Sequence, residues 1–383
     1  MNPLSWWREA IERRDENASG ARVWQLTSAP AITHNLYHEQ PPCSADGNRL
    51  ALFRTASSNP RQPGDLIVYD IERHRITCLA ENIFGIGSGV HALATSAWSG
   101  QIYAVQQREK SHVLLQLDLN AMTSDELFAW DGLPGLGPAT ISPDGRWGLA
   151  AGRPAPDTFG VFRFDLNSGS GDWIHVSPHL VNPHLQYRLH AEQRILVQEN
   201  RGCLADEAGN IIRLYDERGV GLYSIDSEGN NRCDFPVGPP YTPGTTGHEC
   251  WIGQSERVLV TLTAPYDDGL RVGNVVEVCT TWAKPRVVFD SPWIWNHVAA
   301  SRCGRYFIVD THDLPDVPLL VGNIASGKTQ VLCSSLTSAG YPQYSHAHPY
   351  LTSDNRHVVF NSDRRGLAQV HIAAVPEGFW DDF

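Results

Sequence analysis

Short runs of alternating or continuous apolar residues recur along the chain and predict β-strands almost from end to end. They include LIVYDI (66–71), VFRFDL (161–166), RILVQE (194–199), RVLVTL (257–262), YFIVDT (306–311) and HVVFNS (357–362), all rich in the β-branched and aromatic side chains that suit a pleated, half-buried surface. Nothing of helical period separates them. The exception lies near the start, where Ser5 stands ready to cap a run through Trp6, Trp7, Ala10 and Ile11, with Arg8, Glu9, Glu12, Arg13 and Arg14 between them. That pattern predicts a short N-terminal helix within an extension over residues 1–22.

The strands come in groups, and each group carries a turn signal: Asp46-Gly47, Ser99-Gly100, Asp144-Gly145, Glu192-Gln193, Ser255-Glu256, Cys303-Gly304 and Asp354-Asn355. Their spacing of about 45 to 60 residues is close to the period of propeller repeats. The clearest copies are SADGNRLALF, SPDGRWGLAA and TSDNRHVVFNSD, each a tight turn, an apolar strand and a second hairpin. We therefore expect an all-β fold over residues 23–383, a seven-bladed β-propeller with one four-stranded sheet per repeat. A sandwich or barrel is the alternative for regular short strands, but the repeat runs through the whole chain. No blade can bury both faces alone, and closing the ring removes the exposed edges. The strand-like VWQLT (23–27) has no blade of its own and is expected to complete the last one, whose other strands lie between about residues 346 and 376.

Composition narrows the functional classes. The net charge of −12 over 383 residues argues against a nucleic-acid or long polyanion track, which needs an excess of Lys and Arg on one face; a small anionic ligand in a locally positive pocket remains open. No apolar run reaches the length of a membrane span, and the first twenty residues lack a secretory h-region, so a soluble, cytoplasmic protein is expected. The eight cysteines form no CxxC pair and read as free thiols. The sequence leaves the oligomeric state open.

Candidate chemistry rests on histidines placed just before the innermost strand of several repeats: His184 in NPHLQY, His248 in TTGHECW, His297 in WNHVAAS, and His346 with His348 in QYSHAHPY. Propeller loops of this kind converge at the mouth of the central channel. In an extended strand, residues two apart face one side, so His346 and His348 present two imidazoles to one point, with the Gln343 amide brought beside them by a bend at Tyr344-Ser345. His297 enters the preceding repeat at the corresponding place. His312 and Asp313 read as a turn cap, and Trp251 and Trp295 as packing between blades or as stacking platforms for sugar.

These segments resemble the oligogalacturonate lyases, from THNLYHEQPPCSADGNRLALF through TTGHECWI and WNHVAASRCGRYFIVDTHD to QYSHAHPYLTSDNRHVVFNSDRRG. The resemblance implies a cytoplasmic seven-bladed propeller that cleaves short pectate fragments by β-elimination. It also implies a divalent metal, typically Mn²⁺, held by Gln343, His346, His348 and His297, with His248 as catalytic base. The sequence departs from the family at Gly221, where the resemblance calls for an Arg; Arg218 and Arg201 are the candidates to replace it. Arg201 and His184 are further expected to touch a small anionic oligosaccharide. Such chemistry suits these groups: a cation or Arg steadies the charge that develops when the proton α to a carboxylate is removed, and an imidazole titrates in the right range to accept that proton. Three alternatives stay open at this level: a lyase for a glucuronate- or ulvan-like fragment, a metal-dependent hydrolase, and a propeller that binds partners without catalysis.

Overall fold

The computed structural model describes residues 4–9, 11–13, 17–59, 62–84, 93–109, 111–130, 139–206, 210–245, 248–262 and 275–383. Among them the only helical elements are two 3₁₀ turns, Gln343–Ser345 and Phe379–Asp382; the rest of the regular structure is β. The chain divides into two compact units, Met1–Gly137 with His297–Phe383, and Pro138–Asn296.

The first unit opens with two antiparallel four-stranded meanders. One comprises Ile32–Asn35, Arg49–Thr55, Gly64–Asp70 and Arg75–Ile83; the other comprises Leu93–Ser96, Gln101–Gln107, His112–Asp118 and Thr123–Trp130. A core of Leu36, Phe53, Leu66, Val68, Ile102 and Leu115 is buried between them. Two further sheets follow in this unit: Val298–Ala300, Tyr306–Asp310, Pro318–Asn323 and Thr329–Ser334, then Tyr350–Leu351, His357–Ser362 and Gln369–Ala374. The last sheet continues into the opposite end region of the chain. Arg22–Gln25 pairs antiparallel with Gln369–Ala374, in the register Val23 to Ala373, so the VWQLT segment joins the strands it was expected to join.

Among its described residues the second unit holds three sheets of four strands and one small hairpin. The sheets are Thr140–Ile141, Trp147–Ala155, Thr158–Asp165 and Gly171–Ser177; Gln186–Tyr187, Ile195–Asn200, Val220–Ile225 and Cys233–Asp234; and Glu249–Trp251, Arg257–Thr261, Val275–Cys279 and Arg286–Phe289. Leu149, Val161, Tyr187 and Val197 share one core, and Leu222, Trp251, Val260 and Val276 share the next. Every residue of the middle strand Val275–Cys279 is buried, and its sequence is apolar except at Glu277, whose buried carboxylate accepts from Arg257 and Arg286.

Four of the seven predicted turns are built alike. A backbone bond closes Ser44–Gly47, Ser142–Gly145, Ser301–Gly304 and Thr352–Asn355, and the hydroxyl of the first residue accepts the amide five positions on, from Arg49, Trp147, Tyr306 and His357 respectively. The fourth residue is left-handed in all four turns, with φ between 58° and 79°, which explains Gly or Asn there.

The N-terminal helix is not formed. Trp7 exchanges both backbone hydrogen bonds with Ile76, at 3.0 and 2.8 Å, and Ile11–Arg13 is a strand paired with Arg22–Gln25. Arg75 lies over the Trp6 ring at 4.1 Å, and Glu9 meets Arg54 at 2.8 Å. The amphipathic pattern was real, but two open strand edges offered this segment backbone partners already in place, whereas an isolated helix of that length has a costly nucleus.

Candidate active site

In the first unit, His297 precedes the strand Val298–Ala300, and His346 and His348 precede Tyr350–Leu351. Donor atoms of these three imidazoles all lie within 4.8 Å of one another. Ring centroids are 4.2 Å apart for His297 and His348, 5.3 Å for His297 and His346, and 5.5 Å for His346 and His348.

His346 and His348 do not meet by strand alternation, as the sequence suggested. Residues 346–349 lie outside any strand. The 3₁₀ turn Gln343–Ser345 delivers His346, whose amide bonds back to the Gln343 carbonyl, and His348 then takes a left-handed backbone with φ 42°, a strained state for a residue with a Cβ. Two buried asparagines hold it. Asn35 donates to the His348 carbonyl at 2.8 Å, Asn361 donates to the His346 carbonyl at 3.2 Å, and Asn361 accepts the Asn35 amide at 2.7 Å. Gln343 is half-buried at the head of the turn, three residues before His346.

Asp310, fully buried at the end of Tyr306–Asp310, orients His297. One carboxylate oxygen accepts the His297 backbone amide at 2.9 Å, and the two oxygens lie 3.1 and 2.9 Å from the ring Nδ1. Assigning the proton to Nδ1 makes Nε2 the acceptor nitrogen, and a metal-ligating histidine is commonly oriented by a carboxylate on its other nitrogen in this way. Burial alone would raise the Asp310 carboxyl, yet His297 and His312 hold it well below its ordinary value. His346 is driven the other way: burial, then the neighbouring His297 and His312, lower it to about 4, so it is neutral and a donor at pH 7.

Two more imidazoles border this set. His312 has its Nε2 3.8 Å from Asp310 and its ring 4.8 Å from His346; burial would lower its pKa, but Asp310 raises it. It is therefore more than the turn cap its sequence position suggested. His38 is fully buried, nearly parallel to His348 at 5.6 Å and edge-on to His297 at 5.2 Å. Sequence reasoning passed it over. The available signal was its distance from the first turn, since His38 stands six residues before Ser44 as His346 stands six residues before Thr352.

In the second unit, His184 and His248 precede the first strands of consecutive sheets, with ring centroids 6.0 Å apart. Glu249, fully buried, lies 3.8 Å from His184 Nδ1. The His248 amide donates to Thr261 Oγ1, which donates to the Asn296 carbonyl. Gln186 donates to the Glu249 carbonyl and accepts from Trp251 Nε1 through its own carbonyl. Trp251 and Trp295 are both buried, packed on Phe235 and Phe289, and serve the core. Arg201 and Arg218 also belong to this unit; Arg201 follows Ile195–Asn200, and Arg218 precedes Val220–Ile225. All eight cysteines are free thiols. Among the described residues no helix is long and apolar enough to cross a membrane.

A set of neutral imidazoles suits a borderline divalent ion and leaves it a full positive charge toward an anionic ligand, whereas a carboxylate cage would repel one. The donors of the first unit fit such an ion.

No protein-family model matches the chain. It is 22% identical to the oligogalacturonate lyase of Dickeya dadantii across 95% of this chain and 96% of that protein. With the oligogalacturonide lyase of Pectobacterium atrosepticum it shares 29% identity across 35% of this chain, spanning only 38% of that relative's length. Among solved structures, an oligogalacturonate lyase in complex with manganese superposes with a TM-score of 0.70 at 17% identity, over 99% of this chain and all of that one. The β-propeller domain of the trilobed protease from Pyrococcus furiosus superposes with a TM-score of 0.55 at 12% identity, over 90% and 93% of the two chains. The fold is thus that of β-propeller proteins, and the chain resembles oligogalacturonate lyases along nearly its whole length.

Proposed function

We propose that this protein is a metal-dependent lyase that cleaves short uronic-acid oligosaccharides, of the oligogalacturonate type, by β-elimination. The observation that carries the reading is the convergence of His297, His346 and His348 in a chain similar throughout to oligogalacturonate lyases. Gln343 completes the donor set. The ion is Mn²⁺ by analogy with the manganese complex, since imidazole and amide donors alone do not choose among the divalent metals. When bound, it supplies positive charge beside the substrate carboxylate and so favours the charge that builds up there.

His248 is the base. It takes the proton α to the carboxylate, the released electron pair forms the carbon–carbon double bond, and the 4-linked oxygen leaves with its bonding pair and takes up a proton from water to end as a hydroxyl. A positioned imidazole near neutrality contributes on the order of 10²- to 10⁴-fold to such a step. His184 contacts the sugar. We read the successive four-stranded sheets as seven blades closed by Arg22–Gln25, and the cytoplasm as the place of action on small imported fragments.

One feature favours a second substrate within the same reaction class. Gly221 stands where the resemblance calls for Arg, which suits a uronate in a glucuronate- or ulvan-like chain. The test is an assay on di- and trigalacturonate with Mn²⁺ beside a panel of other uronates. Elimination gives an unsaturated uronide with ultraviolet absorbance; reducing ends without that absorbance would mean hydrolysis, and silence on every uronate would favour a non-catalytic binding protein.

A further inference from the structure

We propose that Arg201, and not Arg218, is the guanidinium that receives the substrate carboxylate, in a place that Gly221 and Gly238 keep open. This rests on the lyase reading above. Gly221 pairs with Glu199 across the strands Ile195–Asn200 and Val220–Ile225, and the Arg201 side chain folds back over that pair. A Cβ added to Gly221 would lie 2.6, 2.7 and 2.8 Å from Nη2, Nε and Cζ of Arg201, closer than real side chains approach. On Gly238 it would collide with Nη1, and Gly238 also has φ 78°, a backbone state that disfavours any Cβ. The side chain missing at position 221 is thus replaced in space by one arriving from position 201.

The guanidinium is seated but not spent. Among the described residues its one hydrogen bond runs from Nη2 to the Val237 carbonyl, at 3.2 Å. Glu199 is 3.8 Å from Nε, beyond hydrogen-bonding range, and both its oxygens already accept from Arg232, at 3.3 and 3.2 Å. Burial, more than any neighbour, depresses the Arg201 pKa, and an incoming carboxylate offsets that cost. With its side chain 22% exposed, Arg201 keeps a planar fork of N–H donors for a carboxylate. Arg218 is in the opposite condition. Its side chain is 54% exposed, and its amide, Nε and Nη2 all donate to Asp216.

Position supports the assignment. The loop carrying His184 is tied to the strand that delivers Arg201, since Asn182 donates to Asn200 Oδ1 at 3.0 Å and Gln198 donates to the Asn182 carbonyl at 3.1 Å. The loop leading to His248 runs beside the other strand through a parallel bridge between Gly219 and Thr245, with Val220 donating to the Thr245 carbonyl at 2.7 Å. Arg201 is therefore delivered between two histidine loops of its own unit.

The experiment moves the arginine. Calorimetric binding of digalacturonate and of its carboxyl-reduced, neutral analogue is measured with the wild type, Arg201→Ala, Arg218→Ala and the double variant Arg201→Ala with Gly221→Arg, alongside kcat/KM. Arg201→Ala should weaken digalacturonate binding and kcat/KM by about 10²-fold and leave binding of the neutral analogue unchanged. Arg218→Ala should stay within about twofold of wild type. In the double variant an arginine grows from the vacated floor, and at least tenfold of the loss should return, on the order of half the original free-energy deficit. Circular dichroism and unfolding midpoints check that each variant folds; if Arg201→Ala does not, Arg201→Lys, which keeps the charge and loses the fork, must still weaken binding. Undiminished digalacturonate binding in a folded Arg201→Ala, or a loss confined to Arg218→Ala, overturns the assignment while the lyase reading stands. A wild type that neither binds nor cleaves any uronate removes the lyase reading first.

Discussion

Asp310 shows how much of the proposed metal centre depends on a residue that would not touch the ion. Its carboxylate binds both the backbone and the ring of His297 and reaches His312, so it sets the tautomer of one donor and the charge of a neighbour. Asp310→Asn preserves shape but replaces one acceptor oxygen with a donor, which turns the ring or its proton the wrong way. Metal titration should show affinity weakened by about 10- to 100-fold with the fold intact; unchanged affinity would separate Asp310 from the centre. His346→Ala with His348→Ala should abolish stoichiometric metal in elemental analysis. His248→Ala should retain the metal and lose most turnover, because removing a base withdraws a transition-state interaction and leaves ground-state contacts largely in place. A His248→Ala variant with wild-type turnover would exclude it as the base.

At the scale of elements, the segment 343–348 is held by its neighbours rather than by its own secondary structure. Asn361 ties it down with a side-chain donor to His346, a backbone donor to Ala347 and an acceptor for Asn35. Asn361→Ala leaves the buried Asn35 amide and the His346 carbonyl without those partners, at a cost of about 1–3 kcal/mol in urea unfolding, and it should weaken metal binding in parallel. Equal stability with weakened metal would mean the segment had relaxed without strain. The N-terminal segment is attached differently, through Glu9. Burial pushes its carboxyl up, but bonds from Arg54, Trp7 and Ser28 hold it below its ordinary value. A carboxyl with a depressed folded-state pKa stabilises above its unfolded pKa, and that contribution is lost as pH falls through the folded value. Docking of residues 4–9 should therefore weaken on acidification below about pH 4.5. Glu9→Gln should remove that dependence and cost up to about 1 kcal/mol at pH 7, read by hydrogen exchange at Ile76.

Over the whole molecule, the repeat was legible because four of its seven turns carry the same local chemistry, a hydroxyl that caps the turn and a left-handed fourth position, as in Ser44 with Gly47 and Ser142 with Gly145. The histidines before the first strands were legible for the same reason, since sheet order fixes where entry loops begin. His38, Asp310 and the seating of Arg201 over Gly221 were not legible, because they depend on which sheets face each other and on side chains crossing between strands. The N-terminal strand escaped notice because Trp7 docks on Ile76, far along the chain, and because the strand Arg22–Gln25 beside it is itself placed by Gln369–Ala374. Those partnerships lead to the last prediction. Arg22–Gln25 is flanked on one side by Ile11–Arg13 and on the other by Gln369–Ala374, so a proline at Val23 removes a ladder donor from a strand paired on both edges. The sheet it completes also contains Tyr350–Leu351, the strand that His346 and His348 precede. Val23→Pro should lower the urea midpoint by an amount equivalent to about 1–3 kcal/mol, open the edge of Gln369–Ala374 to self-association seen by size-exclusion chromatography, and weaken metal binding although no donor has been changed. An unaltered midpoint with full metal affinity would show that the two end regions are joined by side-chain packing alone, and that the strand pairing is dispensable.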